Sequence, residues 1–315
     1  MNNHVDTTGD GVDGAAVTAP AAVTAPAGNG RVTVADCVAA LEDAYPPGFA
    51  EPWDAVGLSV GEPDAPVRHV HLAVDPTVEV AAEAAALGAD LLVTHHPLFL
   101  RGVHGVAATT AGGRVVTTLV RAGTALFTAH TNADVACAGV NDALAAALGL
   151  RDVRPLAEGR DHPGLGRLGE LPAAEPLAAF CARAAAALPA TAGGVRATGD
   201  PDRPVRRVAV CGGSGGELAA AAAAAGADAF LTADGRHHHV LDAVAAHPVA
   251  IVDVAHWASE WPWLAYAAER LSAALSATGR TVVTSVSTLV TDPWRLHVPQ
   301  ARPSGTSPGP AAVTP

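Results

Sequence analysis

Three short motifs bring together residue types that hold metal ions: Thr94-His95-His96-Pro97, His130-Thr131-Asn132-Ala133-Asp134, and His256 with Glu260 four residues later. Each lies just beyond a short apolar run that reads as a strand, and strand ends are where an α/β fold gathers its chemistry. Neutral imidazole and carboxylate together suit borderline divalent ions such as zinc, iron, nickel or manganese. The carboxylates leave room for two ions sharing one bridging ligand. The motifs therefore read as a dinuclear metal site.

Nine of the fourteen histidines fall within 95–130 and 237–256, so the imidazoles are concentrated rather than scattered. On an extended segment His95 and His96 point to opposite faces. They serve one ion only if the chain turns, which Pro97 allows; otherwise each reaches a different ion of a pair. Asp134 lies in a loop before a helix whose start is marked by Gly139 and Asn141. Asn141 and Asp142 fill the capping positions nearer that helix, so Asp134 is read as a ligand rather than a cap. His130 is either a further ligand or a residue that orients Asp134 from behind, and the second role is preferred. His256 and Glu260 share a face if their turn is helical. This is not the HExxH arrangement, because the glutamate is the second member of the pair.

Cys211-Gly212-Gly213-Ser214-Gly215-Gly216 follows a strand and opens a helix. It fits neither GxGxxG nor GxxxxGK[ST], which leaves an anion-binding turn or a plain tight turn. The His237–His239 run reads as an exposed polar turn, with a metal or phosphate contact as the lesser reading.

These residues need elements to position them. Residues 1–30 and 299–315 are low-complexity tails rich in Ala, Thr, Pro and Gly, a composition that reads as disorder. Between them, apolar runs alternate with helical stretches. Strands are expected at 69–75, 90–94, 125–128, 205–210, 229–232, 249–254 and 282–286. Helices are expected at 77–87, 113–122, 140–148, 175–188, 217–225, 240–246 and 263–277, and a Gly/Pro-rich loop at 158–172. Strands separated by helices imply βαβ units and mainly parallel sheets. The run Leu87-Gly88-Ala89-Asp90 before one strand echoes Ala225-Gly226-Ala227-Asp228 before another. Two similar α/β halves, 31–160 and 161–298, account for the echo as well as convergence on a common connection does.

Composition narrows the function. The net charge of −12, without an Arg-dense stretch, argues against binding duplex nucleic acid. An acidic chain still takes a nucleotide when metal ions stand between protein and phosphates. Four dispersed cysteines without a CxxC read as reduced thiols, and no apolar run is long enough for a membrane span. A signal peptide is not evident. The expected location is cytoplasmic.

In order along the chain, the motifs resemble the NIF3-like family, also known as GTP cyclohydrolase 1 type 2 homologues. The resemblance runs from Glu51-Pro52-Trp53-Asp54-Ala55-Val56-Gly57-Leu58 through the two motifs at 94–97 and 130–134. It continues with Gly139-Val140-Asn141-Asp142, Gly166-Arg167-Leu168-Gly169 and Cys211-Gly212-Gly213-Ser214-Gly215. It ends with Thr232-Ala233-Asp234-Gly235-Arg236-His237-His238 and His256-Trp257-Ala258-Ser259-Glu260. Ala55 and Ala233 depart from the family's usual Asn and Gly.

The resemblance implies an α/β fold of two similar domains with a dinuclear metal site in the cleft between them, and a ring-shaped homohexamer. Carried over, the metal ligands are His95, His96, Asp134, His256 and Glu260, with Glu260 as the bridge. His238 stands where the family has a histidine near the site, and Asp234 where it has an acid. The expected activity is metal-dependent hydrolysis of a nucleotide or related small molecule, with two divalent ions per chain. Glu260 and either His96 or His238 would serve the chemistry. If the family's name describes it, water attacks the guanine C8 of GTP and formate leaves. The alternative is a non-catalytic metal-binding adaptor or metal-storage protein acting through partners.

Overall fold

The runs at 91–94 and 125–128 are apolar up to a closing threonine and buried at every residue. That pattern belongs to inner strands of a sheet covered on both faces. In the computed structural model, which describes residues 30–299, they occupy the middle of a five-stranded sheet. This sheet contains β1 (Gly57–Val60), β2 (His69–Ala73), β3 (Leu91–Thr94), β4 (Ala125–Thr128) and, from the far end of the chain, β11 (Val283–Val286), in the order β1-β4-β3-β2-β11. A six-stranded sheet contains β5 (Arg151–Ala157), β6 (Leu165–Pro176), β7 (Arg196–Ala197), β8 (Pro204–Val210), β9 (Ala229–Ala233) and β10 (Ala250–Val254), in the order β5-β6-β8-β9-β10-β7.

Helices α1 (Val34–Ala44), α2 (Val78–Ala86), α3 (Ala111–Ala122), α4 (Thr131–Val135) and α5 (Val140–Ala147) precede β5 in the chain. The later ones are α6 (Leu177–Ala187), α7 (Ala219–Ala224), α8 (His237–Ala246), α9 (His256–Glu260) and α10 (Trp263–Ala277). Among the described residues no helix is long and apolar enough to cross a membrane. Cys37 and Cys211 are buried, Cys137 is exposed, and all four thiols are free.

The expected alternation is present, and the internal echo has a physical basis. Gly88 (φ +64°) and Gly226 (φ +73°) each end a helix in the left-handed region. The next residue donates back into that helix, from Ala89 to Ala84 and from Ala227 to Ala222, each at 3.0 Å. Asp90 Oδ2 then accepts the backbone N–H groups of Arg68 and His69. Asp228 Oδ2 does the same for Arg206 and Arg207. One connection is built twice, and each copy fixes the register between neighbouring parallel strands.

Two features depart from the expectation. First, only β2, β3, β4 and β11 in one sheet, and β8, β9 and β10 in the other, pair in parallel; β1, β5, β6 and β7 join antiparallel. The stretch read as a Gly/Pro loop includes most of β6. Gly169 is there for closeness rather than for a turn: a Cβ on it would stand 3.0 Å from the Arg151 carbonyl oxygen. Second, the sheets do not divide at residue 160. β5 pairs into the second sheet and β11 into the first, so the chain crosses between the two units twice.

A continuous core fills the space between the sheets, with Leu72, Leu91 and Phe127 from one side, Val208, Leu231 and Val252 from the other, and Trp263 and Leu271 of α10 among them. Arg167 ties the two units together through polar bonds. It is 2% exposed and grips Asp142 at the start of α5 through two bonds of 2.6 and 2.9 Å. The rest of its guanidinium donates to the carbonyls of Ala136, Gly164 and Gly166. Arg167→Ala leaves these acceptors without a partner. It is expected to cost about 2–4 kcal/mol in urea unfolding, less than a fully buried pair because Asp142 keeps some solvent.

Candidate metal centre

β3 and β4 end side by side, with Thr94 opposite Thr128, so His95-His96 and Ala129-His130 leave the same sheet edge together. β9 and β10 end in the same way, with Ala233 opposite Val254, and Asp234 and His256 follow. Helix α4 carries Asp134 one turn beyond His130. Helix α9 carries Glu260 one turn beyond His256, so the predicted i,i+4 pair forms, with His256 Nε2 and Glu260 Oε1 2.9 Å apart.

Four imidazoles meet here, and each has its Nδ1 engaged from behind. His95 Nδ1 lies 3.0 Å from the carbonyl oxygen of Ala129. His96 Nδ1 is 2.7 Å from Asp75, His130 Nδ1 2.8 Å from Asp54, and His256 Nδ1 2.7 Å from Asp234. Such partners take the Nδ1 proton and leave the Nε2 lone pair for an ion. The Nε2 atoms turn to one carboxylate: Glu260 lies 3.5 Å from His95, 3.2 Å from His96 and 2.9 Å from His256. Asp134 Oδ1 stands 3.6 Å from His95 Nε2.

The buried atoms His95 Nε2, Asp134 Oδ1 and Glu260 Oε2 have no hydrogen-bond partner. Buried polar atoms without partners are costly, and here they converge on one point. Two sets have ligand atoms close enough for one ion: His95, His96 and His130, and His96, His256 and Glu260. The donor set therefore fits borderline divalent ions.

The charges are coupled. Burial alone raises the Glu260 carboxyl, but the imidazoles of His96, His95 and His256 overcome it and hold the group well below its ordinary value. Burial pushes His96 down, yet the Glu260 charge and the Asp75 hydrogen bond carry it well above. His256 is likewise lowered by burial and raised further by Glu260, to about 9. Asp134 is raised, chiefly by burial. Asp54 is raised by burial and lowered further by His130 and Thr131, so it stays ionised.

The glycine turn after β8 is neither an anion cradle nor a plain turn. Three of its N–H groups are taken by side chains: Gly212 by Asn141, Gly213 by Ser259 and Gly215 by Thr232. Asn141 also donates to the Asp134 carbonyl oxygen. It therefore links one ligand helix to the turn beneath the other, rather than capping α5. Gly213 (φ +63°) leaves room for the site, since a Cβ there would stand 2.4 Å from Glu260 Oε1.

The five residues read as ligands, His95, His96, Asp134, His256 and Glu260, are thus brought together. His130 joins them as a member of one ligand set, beyond the supporting role preferred for it. His238 is on the exposed first turn of α8, its ring 5.0 Å from that of His237. The sequence reading gave no role to Asp54 and Asp75. Asp54 sat inside a quoted motif, but Asp75 is an ordinary acid at a strand end, and nothing local marks it.

A sequence model of the family described as Duf34/NIF3 (NGG1p interacting factor 3) matches residues 32–293. A protein of Streptomyces coelicolor named GTP cyclohydrolase 1 type 2 homolog is 52% identical over 272 residues, spanning 85% of this chain and 95% of its own. One of the same name from Mycobacterium bovis is 38% identical, spanning 84% of this chain and 97% of its own. Among solved structures, a Bacillus cereus protein related to NIF3 is 25% identical. It superposes with a TM-score of 0.79 over 85% of this chain and 100% of its own.

Two outcomes are expected. Gly213→Ala drives its methyl into Glu260, so bound zinc measured by mass spectrometry falls at least severalfold while the circular dichroism spectrum is kept. The second concerns protons. The His256 value of about 9 lies above the unfolded value of about 6.5. The stability it contributes to the metal-free protein is complete below pH ~6.5 and is lost as pH rises through about 9. Zinc added near pH 7.5 therefore displaces protons, and its binding heat varies with the buffer's ionisation enthalpy. A heat independent of buffer contradicts this charge state.

Proposed function

The chain belongs to the Duf34/NIF3 family, and from that premise we propose that it is a metal-dependent hydrolase of a nucleotide or related small molecule. The name carried by its relatives, GTP cyclohydrolase 1 type 2 homolog, gives the particular reaction to test.

The observation that supports this most is the common orientation of the four imidazoles. Each has Nδ1 engaged by a fixed acceptor, an arrangement that prepares ligands before any ion arrives. In this reading His95, His96, Asp134, His256 and Glu260 would hold two divalent ions, with His130 completing the set and Glu260 serving both. Ions held there would supply a water of lowered pKa. The chain's own part is to hold the donors rigid. Asp54, Asp75 and Asp234 fix ring orientation, Asn141 holds α4 to the glycine turn, and Trp263, with its ring centroid 5.3 Å from that of His95, closes the apolar side. His238 takes no part in this arrangement.

The cavity beside the cluster has a volume of about 740 Å³, and His96 and His256 are among the residues that line it. That is room for a ligand of nucleotide size. The homohexamer implied by the resemblance belongs to the same proposal and is tested by light scattering.

The deciding experiment is turnover of GTP by metal-reconstituted protein, with mass spectrometry for formate and pterin precursors. Glu260→Ala is expected to lose most of its bound metal and all product; unchanged metal stoichiometry sinks the bridging role. Absence of product with two ions bound per chain moves the assignment to another hydrolytic substrate or to a metal-binding adaptor or storage protein. Metal occupancy is also expected to fall as imidazoles protonate on acidification. Full occupancy near pH 4 contradicts imidazole ligation.

A further inference from the structure

The segment after β11 passes along the cavity beside the metal cluster and carries two groups that the cluster does not use. Thr291 donates to Asp75, the acid behind His96, which anchors the segment against the site. The next residue, Asp292, lines the cavity and is 3% exposed. Burial, together with the nearby charges of Asp234 and Asp75, raises its pKa. Its Oδ2 has no hydrogen-bond partner. Trp294 lines the same cavity and is 71% exposed, so its indole face is open to a ligand.

The charge of the walls restricts what fits. The acidic and basic residues lining the cavity, histidines aside, are Asp75, Asp234, Asp253, Asp292 and Arg196, and Arg196 is held by Asp253 at 2.7 Å. An anionic group entering here finds acids away from the metal cluster. A planar group rich in N–H donors finds a carboxylate oxygen without a partner and, two residues on, an aromatic face. Cationic planar groups gain further from such a face.

We propose that Asp292 and Trp294 form the recognition wall of this cavity, Asp292 Oδ2 accepting an N–H from a planar amidine-like group of the ligand and the indole stacking on its ring. The proposal rests on the metal-hydrolase reading only for what the cavity serves. Its test is binding to the metal-free protein, whereas the metal reading stands on the metal content of Glu260→Ala.

Benzamidine is the probe, and methyl benzoate, of similar shape without N–H donors, is its control. By calorimetry the parent chain is expected to bind benzamidine at least about tenfold more tightly than the ester, the scale of one charge-assisted hydrogen bond. Asp292→Asn, with its fold checked by circular dichroism, is expected to bring the two affinities together. Trp294→Ala, at an exposed position that does not bear on folding, is expected to weaken both ligands while keeping their order. The proposal is overturned if the parent binds neither probe or does not distinguish them. A preference that survives Asp292→Asn, or affinities untouched by Trp294→Ala, overturns it equally.

Discussion

A single buried carboxylate organises this molecule. Glu260 is 3% exposed and stands 2.9–3.5 Å from three imidazoles delivered by two different sheets. A buried charge of this kind is tolerated only when its surroundings compensate it. In the metal-free protein the raised imidazoles of His96 and His256 do so; with ions bound, the ions would. Either way the two sheet edges must meet at one point, and much of the architecture serves to keep them there.

The means of doing so are polar and small. Asn141 reaches from α5 to both Asp134 and Gly212, so a ligand helix and the turn under Glu260 move together. Arg167 gathers three carbonyls and Asp142 at the same junction. Gly213 yields the volume that a side chain would take from the carboxylate. The crossing of β5 and β11 into the opposite sheets adds a mechanical tie. Separating the units would require breaking strand pairs rather than only an apolar contact.

Orientation is handled one layer out. A histidine on a strand end rotates freely about its side-chain bonds, and the lone pair it offers depends on what its other nitrogen meets. Asp54, Asp75 and Asp234 settle that question for three rings, and the Ala129 carbonyl for the fourth. The Asp75 carboxylate is in turn held by Thr291. The segment that lines the cavity thereby reaches the ligand shell through two hydrogen bonds.

Most of the elements and the donor types are legible along the chain. Strand and helix periodicity placed β2, β3, β4, β8, β9 and β10 within a few residues, because apolar runs of that length have little choice. The paired His95-His96, the His256–Glu260 spacing and Asp134 show donor types that suit a metal ion through residue type and position beyond a strand. Partnership across the chain came only with packing. Asp75 and Asp54 became orienting acids because strand order sets them behind His96 and His130, separated from these by 21 and 76 residues. His238, attractive by its place in a motif, is turned to solvent by the first turn of α8. β6 hid in a glycine-rich stretch whose glycines answer to a neighbouring strand's carbonyls. Local pattern reports the forces between near neighbours, whereas ligand orientation, glycine placement and the exchange of strands between sheets depend on contacts that exist only once distant segments have packed.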